Sequence, residues 1–208
     1  MRILVVGMGL IGGSICKSIK AATSHAVYGC DVQQAVLDDA ITDGAIDGTG
    51  TMTDDTYDMI ILCLHQRIAI QMVQEALPKI PAGTILVDTC GLKGRMVRDL
   101  TYRCRKAGVR YVGTHPMAGR EKNGYYASIP NLFQNANLIV TPVDGTDEAA
   151  LDTVKELADQ MGFGKIVTAT PMWHDNMIAY TSQLAHVVSS SYVQDFCMDD
   201  ALSFSGGS

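Results

Sequence analysis

Along the chain, short apolar runs alternate with stretches in which apolar residues recur every three or four positions. Arg2–Val6 is β-branched and ends in glycines, which predicts a buried strand, and Ile11–Ala21, with Ile11, Ile15 and Ile19 in step, predicts the helix after it. The pattern then repeats as a strand over Ala26–Cys30, a helix over Gln34–Asp43 stopped by Gly44, a strand over Met59–Leu64 and a helix over Ile68–Leu77 ending near Pro78. Thr84–Val87 predicts a strand, Met96–Ala107 an amphipathic helix ended by Gly108, and Val109–Val112 the next strand. Leu138–Thr141, Asp147–Met161 and Lys165–Ala169 continue as strand, helix and strand. Met59–Leu64 is apolar without alternation, as in strands covered on both faces. This rhythm predicts an α/β fold with a doubly wound, mostly parallel sheet over residues 1–169.

From Pro171 the character changes. Met172–Met198 has no turn signal and is rich in Ala, Leu, Val, Ser and Gln, which predicts one long, largely buried helix. It would open an all-helical dimerisation domain over residues 170–208, expected to be truncated where the chain ends at Ser208. A single apolar helix cannot bury itself, so it is expected to pack on a partner subunit or on further helices.

Composition narrows the class. Of 208 residues, 47% are hydrophobic and 18% charged, which suits a globular core and argues against disorder. A net charge of −6 offers no basic footprint for nucleic acid, and a small-molecule substrate is the expected partner. No apolar run approaches membrane-spanning length, and the first one is broken by Gly7, Gly9, Gly12 and Gly13, unlike a signal peptide. The six cysteines are scattered, with no C-x-x-C pair, and read as reduced thiols of a cytoplasmic protein.

Gly7-Met8-Gly9-Leu10-Ile11-Gly12 is G-x-G-x-x-G between a strand and a helix. The first glycine permits a tight turn, the second a close approach of backbone to a pyrophosphate, the third close packing of helix on strand. The helix N-terminus offers free N–H groups to phosphate. Asp31 closes the second strand, nineteen residues beyond Gly12, where an acid meets the ribose hydroxyls. No arginine follows in Val32-Gln33-Gln34, so NAD is expected rather than NADP, bound by a Rossmann-type domain. The neighbouring strand ends, Cys63-Leu64-His65 and Asp88 to Gly91, should line the same crevice. Of these, His65 is equally a structural residue, Asp88 a helix cap and the nearby Lys93 a solvated surface lysine.

The segment from Gly113 to Gly124, Gly-Thr-His-Pro-Met-Ala-Gly-Arg-Glu-Lys-Asn-Gly, holds the candidate chemistry. His115 follows a strand and precedes a proline that restricts its backbone to extended geometry. A neutral imidazole there could accept the proton of a substrate hydroxyl as hydride leaves.

This segment resembles the signature of the prephenate/arogenate dehydrogenases of tyrosine biosynthesis. The likeness spans the chain: Gly7–Gly12, Asp88–Lys93, Asn131-Leu-Phe, Asn137-Leu-Ile-Val-Thr-Pro142, and the run His174-Asp175 to Thr181-Ser-Gln-Leu-Ala-His186. The resemblance implies an NAD-dependent oxidative decarboxylation. His115 would take the ring hydroxyl proton, hydride would pass to NAD+, carbon dioxide would depart, and the ring would become aromatic. Glu121 matches a carboxylate near the substrate side chain and His186 a histidine shaping the pocket, with Lys122 and Tyr125 as further substrate contacts. Family members pair as homodimers through the helical domain. Two departures stand out. The family commonly carries a serine at the place of Gly91, hydrogen-bonded to the catalytic histidine. It also carries an arginine for a substrate carboxylate in helices that follow the last residue here. Three other readings stay open: an arogenate dehydrogenase, an NAD-binding module without activity of its own, and a β-hydroxyacid dehydrogenase. The His-Pro-Met-Ala-Gly string, and the lack of a lysine at the matching place on the long helix, speak against the last.

Overall fold

Alternate residues of the apolar runs point to opposite faces, and helices cover both. In β1 (Arg2–Val6), Ile3 and Val5 face one core while Leu4 and Val6 face the other; in β4 (Met59–Leu62), Met59 and Ile61 oppose Ile60 and Leu62 in the same way. The first core is closed by α1 (Leu10–Ala22), α2 (Gln34–Thr42) and α5 (Glu148–Gln160), the second by α3 (Gln66–Ala76) and α4 (Gly94–Lys106). Such unbroken apolar runs are what a two-sided burial requires.

The computed structural model describes residues 1–53 and 57–193. Its strands form one eight-stranded sheet in the order β3-β2-β1-β4-β5-β6-β7-β8. Here β2 is Ala26–Cys30, β3 is Gly48–Thr49, β5 is Ile85–Asp88, β6 is Arg110–Met117, β7 is Asn137–Val140 and β8 is Lys165–Thr168. Strands β1 to β6 run parallel, and the chain reverses direction across the sheet between β1 and β4, the switch point of a Rossmann-type fold. β7 pairs antiparallel with β6, and β8 runs parallel to β7. Among the described residues, no helix is long and apolar enough to cross a membrane.

Two features differ from the sequence expectation. Strand β6 does not stop near Val112 but continues through His115 and Pro116 to Met117. Its first half pairs with β5, up to Asp88 against Gly113, and its second half with β7, from Thr114 against Val140 onward. Pro116 lacks a donor, and it falls where β6 has passed the end of β5. The long helix is also not one regular, buried rod. It comprises α6 (Pro171–Ile178), a π-helical turn over Ala179–Gln183 and α7 (Leu184–Val193); the remainder of the expected helix lies outside the described residues. Thr170 caps α6 by accepting from the Trp173 N–H at 3.2 Å, and Pro171 fits its first turn. His174 and Ile178 are buried, whereas Tyr180 is 69% and Val188 61% exposed. No described element covers that side, so its apolar residues face outward.

Candidate active site

The glycine loop has the shape that a pyrophosphate requires. Gly7 adopts φ +93°, and a Cβ there would come 2.5 Å from the Cys63 carbonyl oxygen. A Cβ at Gly12 would run into the carbonyl of Gly7, so helix and strand approach closely only because Gly12 has none. Gly9 begins α1 without a capping side chain, which leaves the first-turn N–H groups for an anion. Leu10 and Ile11 form that turn, while the Met8 side chain is buried against the Cys16 thiol. Asp31 stands beside the loop: one carboxylate oxygen accepts from the Met8 N–H at 2.7 Å, the other from the Gln33 N–H at 2.9 Å. This acid orders the loop, at the end of β2 where a ribose would lie. The donor set and the space left by the glycines thus fit a dinucleotide. Gly12→Ala is expected to abolish dinucleotide binding, measured by calorimetry, while far-UV circular dichroism stays native; binding within threefold of wild type would contradict the steric account.

The carboxyl ends of β4, β5 and β6 frame a crevice of about 780 Å³, lined among others by Leu64, His65, Cys90, Gly91, His115 and Gln183. This size suits a small-molecule ligand. His65 is exposed at the N-terminus of α3. Burial pushes the thiols of Cys63 and Cys90 up to about 12, so both are neutral wall groups and not nucleophiles.

His115 projects where β6 has outrun β5. Its Nδ1 lies 2.9 Å from Nε2 of His174, whose Nδ1 lies 2.8 Å from Oδ1 of Asp175. A Cβ placed on Gly91 would sit 3.7 Å from His115 Nε2, in ordinary contact, so that nitrogen faces Gly91 and the crevice. Burial first, then His174 and the Lys93 ammonium, lower the His115 pKa to about 4. The imidazole is therefore neutral at pH 7 and able to accept a proton.

Beneath it lies a buried polar cluster. Asp88 and Lys93 are both 0% exposed and paired, and the Lys93 ammonium also donates to the Thr114 carbonyl oxygen. Asp88 accepts further from the Tyr111 hydroxyl at 2.6 Å and the Cys90 N–H at 2.9 Å. Burial, then the Asp88 charge, push the Tyr111 phenol up. Lys93 is thus not a solvated surface lysine, and Asp88 is buried among internal donors and does not cap a helix. Its oxygens are committed inside the protein, one residue from the turn that carries Gly91. The N-terminus of α4 is capped from a distance: Asp175 accepts from the N–H groups of Lys93 at 2.7 Å and Gly94 at 2.8 Å. Burial opposes ionisation of Asp175, yet these two N–H groups and His174 hold its carboxyl below the usual range.

The remaining candidates are dispersed. Glu121 and Lys122 are exposed on the loop after β6, and His186 is exposed on α7. Tyr125 is buried, donates its hydroxyl to Asp43 at 2.9 Å, and packs with α1, away from the residues that line the crevice. An aromatic beside a glycine in a polar loop reads as a ligand contact until its partner on another element is known. The His174–Asp175 pair lies in the run that carries the family resemblance, but spacing alone gave it no role. Ser182 and Gln183 reach the crevice through the π-helical turn, which no local residue announces.

Comparison with known proteins follows the same lines. A family model described as "Prephenate dehydrogenase, nucleotide-binding domain" matches residues 15–168. Over 196 residues the chain is 30% identical to the prephenate dehydrogenase of Bacillus subtilis, an alignment covering 92% of this chain and 52% of that protein. It is likewise 30% identical over 196 residues to the cyclohexadienyl dehydrogenase of Zymomonas mobilis, covering 90% of this chain and 64% of that one. The chain thus spans roughly half to two thirds of these relatives' lengths. The crystal structure of prephenate dehydrogenase from Aquifex aeolicus, in complex with hydroxyphenyl propionate and NAD+, superposes with a TM-score of 0.84 at 28% identity, covering 99% of this chain and 71% of that one. This chain belongs to the prephenate dehydrogenase family, whose nucleotide-binding domain is matched by residues 15–168.

Proposed function

We propose that this chain carries out the NAD-dependent oxidative decarboxylation of prephenate to 4-hydroxyphenylpyruvate, a step of tyrosine biosynthesis. The observation that carries the reading is a neutral, half-buried His115 in a crevice at the carboxyl ends of the strands whose first turn is the dinucleotide loop. The relatives named prephenate dehydrogenase, and the Aquifex aeolicus structure with NAD+, support both substrate and cofactor.

Gly7, Gly9 and Gly12 with the open end of α1 would hold the pyrophosphate, and Asp31 the adenosine ribose. The nicotinamide supplies the hydride acceptor. His115 Nε2 accepts the proton of the ring hydroxyl as that carbon is oxidised, and loss of the ring carboxylate as carbon dioxide then yields an aromatic ring. Leu64 and Ile178 contribute an apolar part of the crevice wall, against which the substrate ring would pack. Glu121 and Lys122, on the loop after β6, and His186, on α7 just beyond the π-helical turn that lines the crevice, are the groups we assign to the substrate side chain. Residues 1–169 form the nucleotide-binding unit and residues from 170 begin a helical unit. The exposed apolar side of α7 pairs with a second copy, giving a cytoplasmic homodimer.

Initial rates of NADH formation with prephenate and with arogenate test the reading and separate it from the arogenate alternative. The expected result is a higher kcat/KM for prephenate with NAD+, and a kcat/KM with NADP+ lower by at least tenfold because the Asp31 carboxylate repels a 2′-phosphate. A preference for arogenate would shift the substrate assignment, and equal use of NADP+ would remove Asp31 from its role.

A further inference from the structure

The hydrogen bonds behind His115 specify where its proton sits. Asp175 accepts from the N–H groups of Lys93 and Gly94 and has no hydrogen to give, so the hydrogen in its 2.8 Å contact with His174 belongs to His174 Nδ1. His174 is 1% exposed, held between His115 on one side and Asp175 on the other. A neutral His174 with its hydrogen on Nδ1 presents a bare Nε2, which can only accept. The 2.9 Å contact with His115 is then a donation from His115 Nδ1–H. His115 Nε2 is left unprotonated on the Gly91 side, facing the crevice.

We propose that His174 and Asp175 are positioning residues for the base: they hold His115 in the Nδ1–H tautomer, with the Nε2 lone pair open to a substrate hydroxyl. The step balances. The hydroxyl O–H bond breaks, its proton forms the N–H bond at His115 Nε2, and Nδ1–H stays donated to His174. The positive charge so created is stabilised through His174 by the Asp175 carboxylate, as the acid of a catalytic triad acts through its histidine. Orientation from behind requires nothing at residue 91, which is why a glycine is compatible with an ordered base. Because Asp175 also caps α4, the docking of α6 on α4 and the tautomer of His115 become one event.

This rests on His115 being the base of the proposed reaction, but the tautomer is measurable without substrate. ¹⁵N NMR of histidine-labelled protein at pH 7, with His115 assigned from the His115→Asn spectrum, reads which nitrogen carries the hydrogen. The expected wild-type result is a protonated Nδ1 and an unprotonated Nε2. His174→Gln, whose amide oxygen can replace Nε2 as acceptor, keeps that state, whereas His174→Phe moves His115 towards Nε2–H. With prephenate and NAD+, His174→Phe lowers kcat by about 10²–10³-fold at little-changed KM, and His174→Gln recovers at least tenfold of it. A wild-type His115 protonated on Nε2 overturns the proposal, even if His174→Phe fails to fold. So does an unchanged tautomer in a folded His174→Phe. The expected tautomer without turnover of prephenate upholds the positioning and overturns the functional reading instead.

Discussion

His115→Asn is expected to lower kcat with prephenate by about 10²–10⁴-fold while dinucleotide affinity stays within a few-fold of wild type. Asparagine can still donate to His174 and fills part of the same space, so the strand β6 and its pairing with β7 are preserved. What it cannot do is take up a proton. The dinucleotide contacts we propose lie on the glycine loop and Asp31, on elements separate from His115, so binding and chemistry should separate cleanly. The wild-type enzyme has a matching pH signature. Burial, His174 and Lys93 lower the His115 pKa from 6.5 to about 4, so the base stays competent as pH falls from 7 and is lost only as pH falls through about 4. The same depression acts on stability. Between 6.5 and about 4 the unfolded chain takes up a proton at His115 more readily than the folded one, so stability from this group is full above 6.5 and declines as pH falls through that window. An acid limb of kcat/KM in free enzyme near pH 6.5 would contradict the buried, neutral base.

Lys93→Met is expected to destabilise the fold by about 3–5 kcal/mol, because it strands the Asp88 carboxylate in a fully buried site. At this chain length that corresponds to a fall in Tm of roughly 6–20 °C. Tyr111 and Cys90 N–H still donate to Asp88, but neither brings a charge. The lost ammonium also frees the Thr114 carbonyl, next to His115, so activity falls with stability. Replacing both partners, as Asp88→Leu with Lys93→Met, should recover much of the stability, since the cost lies in the unpaired charge more than in the loss of the pair. Thermal unfolding followed by circular dichroism measures both. A single variant that melts within 2 °C of wild type would show that the cluster does not bear on the fold.

The nucleotide half of the molecule was legible because its signals are local. Gly7, Gly9, Gly12 and Asp31 need only a strand before and a helix after them, and the chain supplies both within about thirty residues. The two-sided apolar runs likewise announced strands buried between helices. What escaped depends on contacts between distant segments. Gly113 and Pro116 look like stop signals, yet β6 passes through them because β7 arrives antiparallel on its far side, and strand direction is not encoded by local composition. Lys93 read as solvated because nothing in its own turn shows that Asp88 awaits it in the interior. Asp175 acts on Lys93 and Gly94, about eighty residues away, through the docking of α6 on α4. The site was therefore visible as a histidine beside a cofactor, while the groups that hold that histidine were visible only in the fold.

The most direct measurement follows NADH and carbon dioxide in one reaction of the protein with NAD+ and prephenate. Oxidative decarboxylation driven by His115 predicts both products in equal amounts from wild type, and both formed about 10²–10⁴-fold more slowly by His115→Asn despite bound NAD+. NADH without carbon dioxide, or a His115→Asn variant that turns over at the wild-type rate, would contradict it.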